Sequence, residues 1–198
     1  MYFSLVLCDD LLYQRAKEFF LQQWRSDLMT REENSLIGAY LVTQYMRKNW
    51  KVWFSFSEWK YSYEELFFST SHSEDLVMVA IDTKKIAVDI EYINTRDESL
   101  LQNVHVPNSP HSPRENFYIQ RCAKECLIKF LNLNIEEMQE MFVCDFICNY
   151  HFWIDERNFD SLLILHYRWK EYPVHINLKN NKVLALLQES SDDIGTLC

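Results

Sequence analysis

Ile86-Ala87-Val88-Asp89-Ile90-Glu91-Tyr92-Ile93 alternates acidic with apolar positions in a run rich in β-branched residues, which is the signature of a strand. A strand sends residues i and i+2 to the same face. Asp89 and Glu91 therefore stand side by side, with Val88 and Ile90 on the other face. Two adjacent carboxylates repel unless a cation lies between them.

Upstream of this segment, Tyr2 to Leu7 reads as a first strand. Helical spacing of Leu11, Leu12, Ala16, Phe19 and Phe20 predicts a helix from about Asp10 to Trp24. After a polar break at Arg25–Asn34, Leu36, Ile37, Tyr40, Leu41 and Tyr45 predict a second helix, followed by an aromatic segment, Trp50 to Tyr63. Leu66-Phe67-Phe68 and Leu76 to Ile81 read as strands separated by a polar turn, Ser69 to Asp75. Downstream, three prolines make Asn103–Pro113 a loop. Phe117, Cys122, Ala123, Cys126, Leu127, Phe130 and Leu131 mark the apolar face of a helix from about Arg114 to Leu131. Strands are expected at Phe142–Ile147, Tyr150–Ile154, Leu162–Trp169, His175–Leu178 and Val183–Leu187, with Asn180-Asn181 as a hairpin turn. Both halves mix helix and sheet, so the fold class is α+β.

The composition narrows the function. Of 198 residues, 48% are hydrophobic and 15% aromatic, ample for a core. The 29 acids outnumber the 20 Lys and Arg, a poor balance for general nucleic-acid binding, which needs basic surface. No apolar run reaches the ~18–20 residues of a membrane span. The N-terminal segment lacks a basic region and meets Asp9 and Asp10 too early for a signal peptide, so the expected location is cytoplasmic. There the six cysteines are expected reduced, with Cys122 and Cys126 as buried thiols on the helix rather than zinc ligands. The only glycines are Gly38 and Gly195, which excludes the Gly-rich phosphate loop, the dinucleotide fingerprint and the nucleophile elbow. Any phosphate must be held by side chains, helix ends or a metal.

A third acid completes a candidate site. Glu125, in Lys124-Glu125-Cys126-Leu127-Ile128-Lys129, shares a helix face with Lys129 at i,i+4. Taken singly, a strand DxE pair or a helical Lys-Glu pair is ordinary on solvated faces. Together, three carboxylates form a hard oxygen site suited to Mg²⁺ or Mn²⁺.

The order Phe68-Ser69-Thr70-Ser71-His72-Ser73, Val88-Asp89-Ile90-Glu91, then Lys124-Glu125 with Lys129 resembles the 4′-phosphopantetheinyl transferase superfamily, whose pattern is an SHS turn, a (V/I)G(V/I)D-x-E strand and a (W/F)-x-x-KE-(A/S)-x-x-K helix. The resemblance covers about Lys60 to Lys129. It implies Mg²⁺-dependent transfer of the phosphopantetheine arm of coenzyme A to a serine of an acyl or peptidyl carrier protein, releasing 3′,5′-ADP. It places Asp89, Glu91 and Glu125 on the metal, with Glu125 and Lys129 catalytic. It assigns Lys60, Ser71, His72, Lys124 and Lys129 to coenzyme A. The length matches the larger class: a monomer in which two similar α/β halves, each with an antiparallel sheet and a long helix, pack as an intramolecular pseudo-dimer. Residues 1–82 would supply the SHS turn, and 83–198 the acids and the KE helix.

The sequence also departs from the pattern. Ala87 stands where glycine is usual, which restricts the backbone. Arg121 stands where an aromatic residue is usual. No arginine occupies position 34, where the larger class often has a phosphate-binding one, and Arg31 is out of register. The proline-rich loop lacks the usual acid, which leaves Glu125, Glu115 or a metal-bound water to accept the serine proton. Rival readings are another Mg²⁺-dependent phosphohydrolase, a catalytically weak relative that only binds coenzyme A or a carrier protein, and an interaction domain whose acids are surface charge.

Overall fold

A computed structural model describes residues 1–22, 32–50, 62–63, 66–94, 101, 104–154 and 157–189. Lys60, Arg31, Gly195 and most of the aromatic segment lie outside them. The fold is α+β with two antiparallel sheets. The first contains β1 (Tyr2–Leu7), β2 (Ser62–Tyr63), β3 (Leu66–Ser73) and β4 (Leu76–Asp82) in the order β1-β4-β3-β2. The second contains β5 (Ile86–Tyr92), β6 (Phe142–Ile154), β7 (Arg157–Tyr167), β8 (Lys170–Lys179) and β9 (Lys182–Gln188) in the order β5-β9-β8-β7-β6. The chain passes from one sheet to the other through a short bend at Thr83–Lys84.

Three apolar clusters set the layer order. Helices α1 (Asp10–Gln22) and α2 (Glu33–Trp50) cover one face of the first sheet through Ala16, Phe20, Ile37, Val77 and Val79. Between the sheets, Met78 and Ala80 of β4 meet Val88 and Ile90 of β5 and Leu184 and Leu186 of β9. On the far side, helix α3 (Pro113–Leu131) lays Ile119, Cys122, Ala123 and Cys126 on Ala87, Val183 and Ala185. Strand β4 is buried along its whole length, as a strand covered on both faces must be.

Helix α3 begins where its sequence says it should. Ser112 accepts from the Glu115 N–H while the Glu115 carboxylate accepts from the Ser112 N–H, a capping box, with Pro113 in the first turn. Asn132 closes the helix in the left-handed region at φ 57°. Gly38 of α2 faces Thr70 of β3, whose side chain would lie 3.5 Å from an added Cβ. This is ordinary contact, so the glycine is not demanded by space.

The structure changes three sequence expectations. Ser69–Ser73 is strand rather than turn, and only Glu74 and Asp75 form the turn before β4. Phe142–Ile154 is one strand whose pairing with β7 shifts register between Cys148 and Phe152, so two expected strands are one bulged strand. Strands β7 and β8 start at Arg157 and Lys170 rather than Leu162 and His175, and Trp169 falls in the turn between them. The Asn180-Asn181 hairpin is present, with φ 52° and 56°, as a type I′ turn requires.

The β7–β8 turn imposes the same geometry on residues poorly suited to it. Arg168 and Trp169 have φ of 45° and 68°, and Trp169 is 95% exposed. A bulky residue there carries backbone strain without packing in return. Arg168→Asn with Trp169→Gly is expected to stabilise the protein by about 1 kcal/mol, read as a higher urea midpoint with an unchanged slope. A fall in the midpoint would show that Trp169, or the Arg168–Glu137 ion pair (2.8 Å), contributes more than the strain costs.

Candidate metal centre

Strand β5 forms the edge of the second sheet, so half of its amides have no backbone partner within that sheet. Serines of β3 supply one. The Val88 N–H donates to Ser69 Oγ (3.1 Å), the Ile90 N–H to Ser71 Oγ (3.3 Å) and the Tyr92 N–H to Ser73 Oγ (3.1 Å). Alternate positions on β3 thus meet alternate positions on β5, and hydroxyls replace the carbonyls of a missing neighbour strand. The segment is a strand through its backbone ladder with β4, Phe67↔Asp82 to Ser73↔Leu76, and its serine side chains add the link to β5. Two of the hydroxyls also reach the acids: Ser71 donates to Asp89 Oδ1 (2.6 Å) and Ser73 to Glu91 Oε2 (3.4 Å).

The predicted acids converge. One carboxylate oxygen from each of Asp89, Glu91 and Glu125 lies within 4.8 Å of the others. Asp89 and Glu91 share the β5 face turned toward α3, and Glu125 comes from α3 itself. Asp89 is 2% exposed and the glutamates are half-buried. Asp89 Oδ1 is saturated by Ser71 and by Lys129 Nζ (2.6 Å), while Oδ2 is buried with no hydrogen-bond partner. An orphaned anionic oxygen in the interior is costly. Together with two neighbouring carboxylates it fits a hard divalent cation. This cluster could hold a metal ion.

Two cations already sit among the acids. Lys129 Nζ binds Asp89 Oδ1 and the Val88 carbonyl (3.2 Å). Burial works against its charge, but the Asp89 carboxylate overrides that and raises its pKa. Arg121 Nε lies 2.9 Å from both Glu91 Oε1 and Glu125 Oε1. Burial opposes this charge too, and the two glutamates more than offset it.

A cleft of about 370 Å³ opens onto the acids, and its wall includes Ser71, His72 and Lys129, all expected at the site. His72 is exposed, on the opposite face of β3 from the serines. Ser35, at the start of α2, lines the same cleft and was not anticipated from sequence. Lys124 lines instead a neighbouring cleft of about 320 Å³ with Arg121 and Glu125, and burial lowers its pKa. Lys60 lies outside the described residues.

The chain matches no family model and no curated protein.

Ala87 is fully buried in an ordinary strand, outside the positive-φ residues, with its methyl in the core against α3 and its carbonyl accepting from Cys126 Sγ (3.2 Å). The position does not need glycine. Glu115 is engaged by the Ser112 cap, whose hydrogen bonds lower its pKa. The Asn34 side chain donates to the Glu74 carbonyl (2.8 Å), a structural task at the position without arginine. Cys122 and Cys126 are buried in the core, where their thiols contact the Val183 and Ala87 carbonyls and burial pushes their pKa up. No other cluster of metal-ligating side chains occurs among the described residues, and none of their helices is long and apolar enough to cross a membrane.

Proposed function

We propose that this protein is a 4′-phosphopantetheinyl transferase of the larger, pseudo-dimeric class, acting on coenzyme A and on the serine of an acyl or peptidyl carrier protein. One observation carries the reading: the motif residues of β3, β5 and α3, separated in sequence, meet at one cleft, with a buried Asp89 oxygen that accepts no hydrogen bond. The two α-plus-sheet layers, divided near residue 82, are in keeping with a pseudo-dimer acting as a monomer with one site.

In this reading Asp89, Glu91 and Glu125 hold Mg²⁺ or Mn²⁺. When bound, the cation neutralises charge on the diphosphate of coenzyme A and on the departing 3′,5′-ADP. The chain's own residues position the reactants. Ser71 and Ser73 orient Asp89 and Glu91 through their hydroxyls. Lys129 pairs with Asp89 and, beyond its bonds to Asp89 and the Val88 carbonyl, has one N–H left to meet substrate phosphate in the cleft. His72 and Ser35 line the side of the cleft suited to the 3′-phosphate. With Glu115 committed to the helix cap, Glu125 is the catalytic-helix carboxylate available to take the serine proton. Such a site works by placement and electrostatics, which needs no Gly-rich loop.

Incubation with coenzyme A, Mg²⁺ and a panel of apo carrier proteins tests this, with intact masses of the carriers as readout. The expected result is a mass gain of one phosphopantetheine, lost with EDTA and with Glu125→Ala. No gain on any carrier, at high enzyme and with Mn²⁺ also tried, overturns it. The Arg121 guanidinium among the acids favours a second reading, a relative that binds coenzyme A without transferring its arm. That reading predicts coenzyme A binding with unmodified carriers.

A further inference from the structure

We infer that Arg121 is a built-in competitor for the divalent cation and sets how tightly the Asp89–Glu91–Glu125 site takes a metal. The inference rests on reading these acids as a cation site, though not on any group transfer. A single nitrogen, Arg121 Nε, lies 2.9 Å from Glu91 Oε1 and from Glu125 Oε1. Those oxygens converge on one cationic point, which is what two metal ligands do. The guanidinium and a divalent ion therefore claim the same pair of oxygens.

Charge makes the competition decisive. Lys129 neutralises Asp89 through Oδ1 and leaves Oδ2 bare. With Arg121 in place the cluster keeps one negative charge, and with Arg121 withdrawn it has two, the match for a divalent ion. The arginine is not locked in place, since its side chain is one-third exposed. It also borders the adjacent cleft, lined largely by Phe117, Ile135 and Met138 with Gln120 as a polar neighbour, so a displaced side chain has space to enter and an apolar wall for its alkyl stem. Arginine is never neutral at working pH, so the competitor cannot be titrated away and only displacement removes it.

Mn²⁺ binding to the full chain, without coenzyme A or carrier, measures the effect by the electron paramagnetic resonance signal of free Mn²⁺. Arg121→Gln is expected to bind Mn²⁺ at least about tenfold tighter than the wild type, because the loss of two charge-assisted contacts no longer opposes binding. Arg121→Lys, which keeps the charge, is expected to stay near wild type. In the wild-type chain, whatever the folding of the variants, the Arg121 Nε–H resonance is expected to shift on titration with Mg²⁺. Equal or weaker Mn²⁺ binding by Arg121→Gln, or an Nε–H resonance unmoved at saturating Mg²⁺, overturns the inference. Absence of Mn²⁺ binding in every form overturns both it and the metal site. Tighter binding by Arg121→Gln with no carrier modification leaves it standing and counts against the transferase alone.

Discussion

Asp89→Ala is expected to destabilise the protein by about 3 kcal/mol, even before any cation is considered. The carboxylate is 2% exposed and binds both Lys129 Nζ and the Ser71 hydroxyl at 2.6 Å. Its removal leaves the ammonium with the Val88 carbonyl at 3.2 Å as its remaining hydrogen-bond partner. Breaking a buried ion pair from one side costs about 3–5 kcal/mol. Lys129 keeps 21% of its side-chain exposure, which places the loss near the lower end. Lys129→Met strands the other charge, on a residue that already has one unsatisfied oxygen, and is expected to cost at least as much. Asp89→Ala with Lys129→Met removes both charges at once. It is expected to cost less than the sum of the single changes by about 2 kcal/mol. Urea midpoints for the four chains measure this, and simple additivity would show that the two residues do not act as a pair. Only the variants lacking Asp89 should also lose cation binding through Asp89 Oδ2, so stability and binding can be separated.

Replacing Ser69, Ser71 and Ser73 together by alanine is expected to cost about 3–6 kcal/mol, a large part of the roughly 5–15 kcal/mol that holds a typical domain folded. Each substitution strips the acceptor from one β5 amide. A buried N–H left without a partner costs about 1–3 kcal/mol. Val88 and Ile90 are buried and Tyr92 is half-buried, so the third loss is the smallest. Ser71→Ala alone also frees Asp89 Oδ1 from one of its donors. Thr70→Val, on the opposite face of the same strand, is the matched control and is expected to change stability by less than about 1 kcal/mol. If the triple variant unfolds at the same urea concentration as Thr70→Val, the serines do not hold the two sheets together.

The serine ladder also shows where reading the sequence runs out. Asp89 and Glu91 were legible because strand alternation is a local property, and Glu125 with Lys129 because helix spacing is. The alternation of Ser69, Ser71 and Ser73 was equally visible, yet serine clusters ordinarily mark turns. What makes them strand is the backbone ladder with β4 across the Glu74–Asp75 turn, and what they then serve is β5, nearly twenty positions away, whose edge amides need acceptors; no local pattern carries that second role. Arg121 is a similar case. In sequence it was a missing aromatic residue, whereas in the fold it is the cation between two glutamates. Ala87 went the other way: the expected restriction is absent because the strand there is regular. The α+β class and the element order followed from periodicity, whereas the single bulged β6 did not, since its register shift depends on pairing with β7.

Strand β5 carries two clocks. The backbone of β9 takes the amides of its odd-numbered residues, a register continued by Ile93 N–H to the Asn181 carbonyl (2.8 Å), and the hydroxyls of β3 take the even-numbered ones. Neighbouring amides on one strand are thus protected from solvent deuterium by different events. Odd positions exchange when the second sheet opens, and even positions when the two sheets part. The same parting lifts Ser71 from Asp89, so the deuterium uptake of Ile90 is also a record of how often the acidic cluster comes undone.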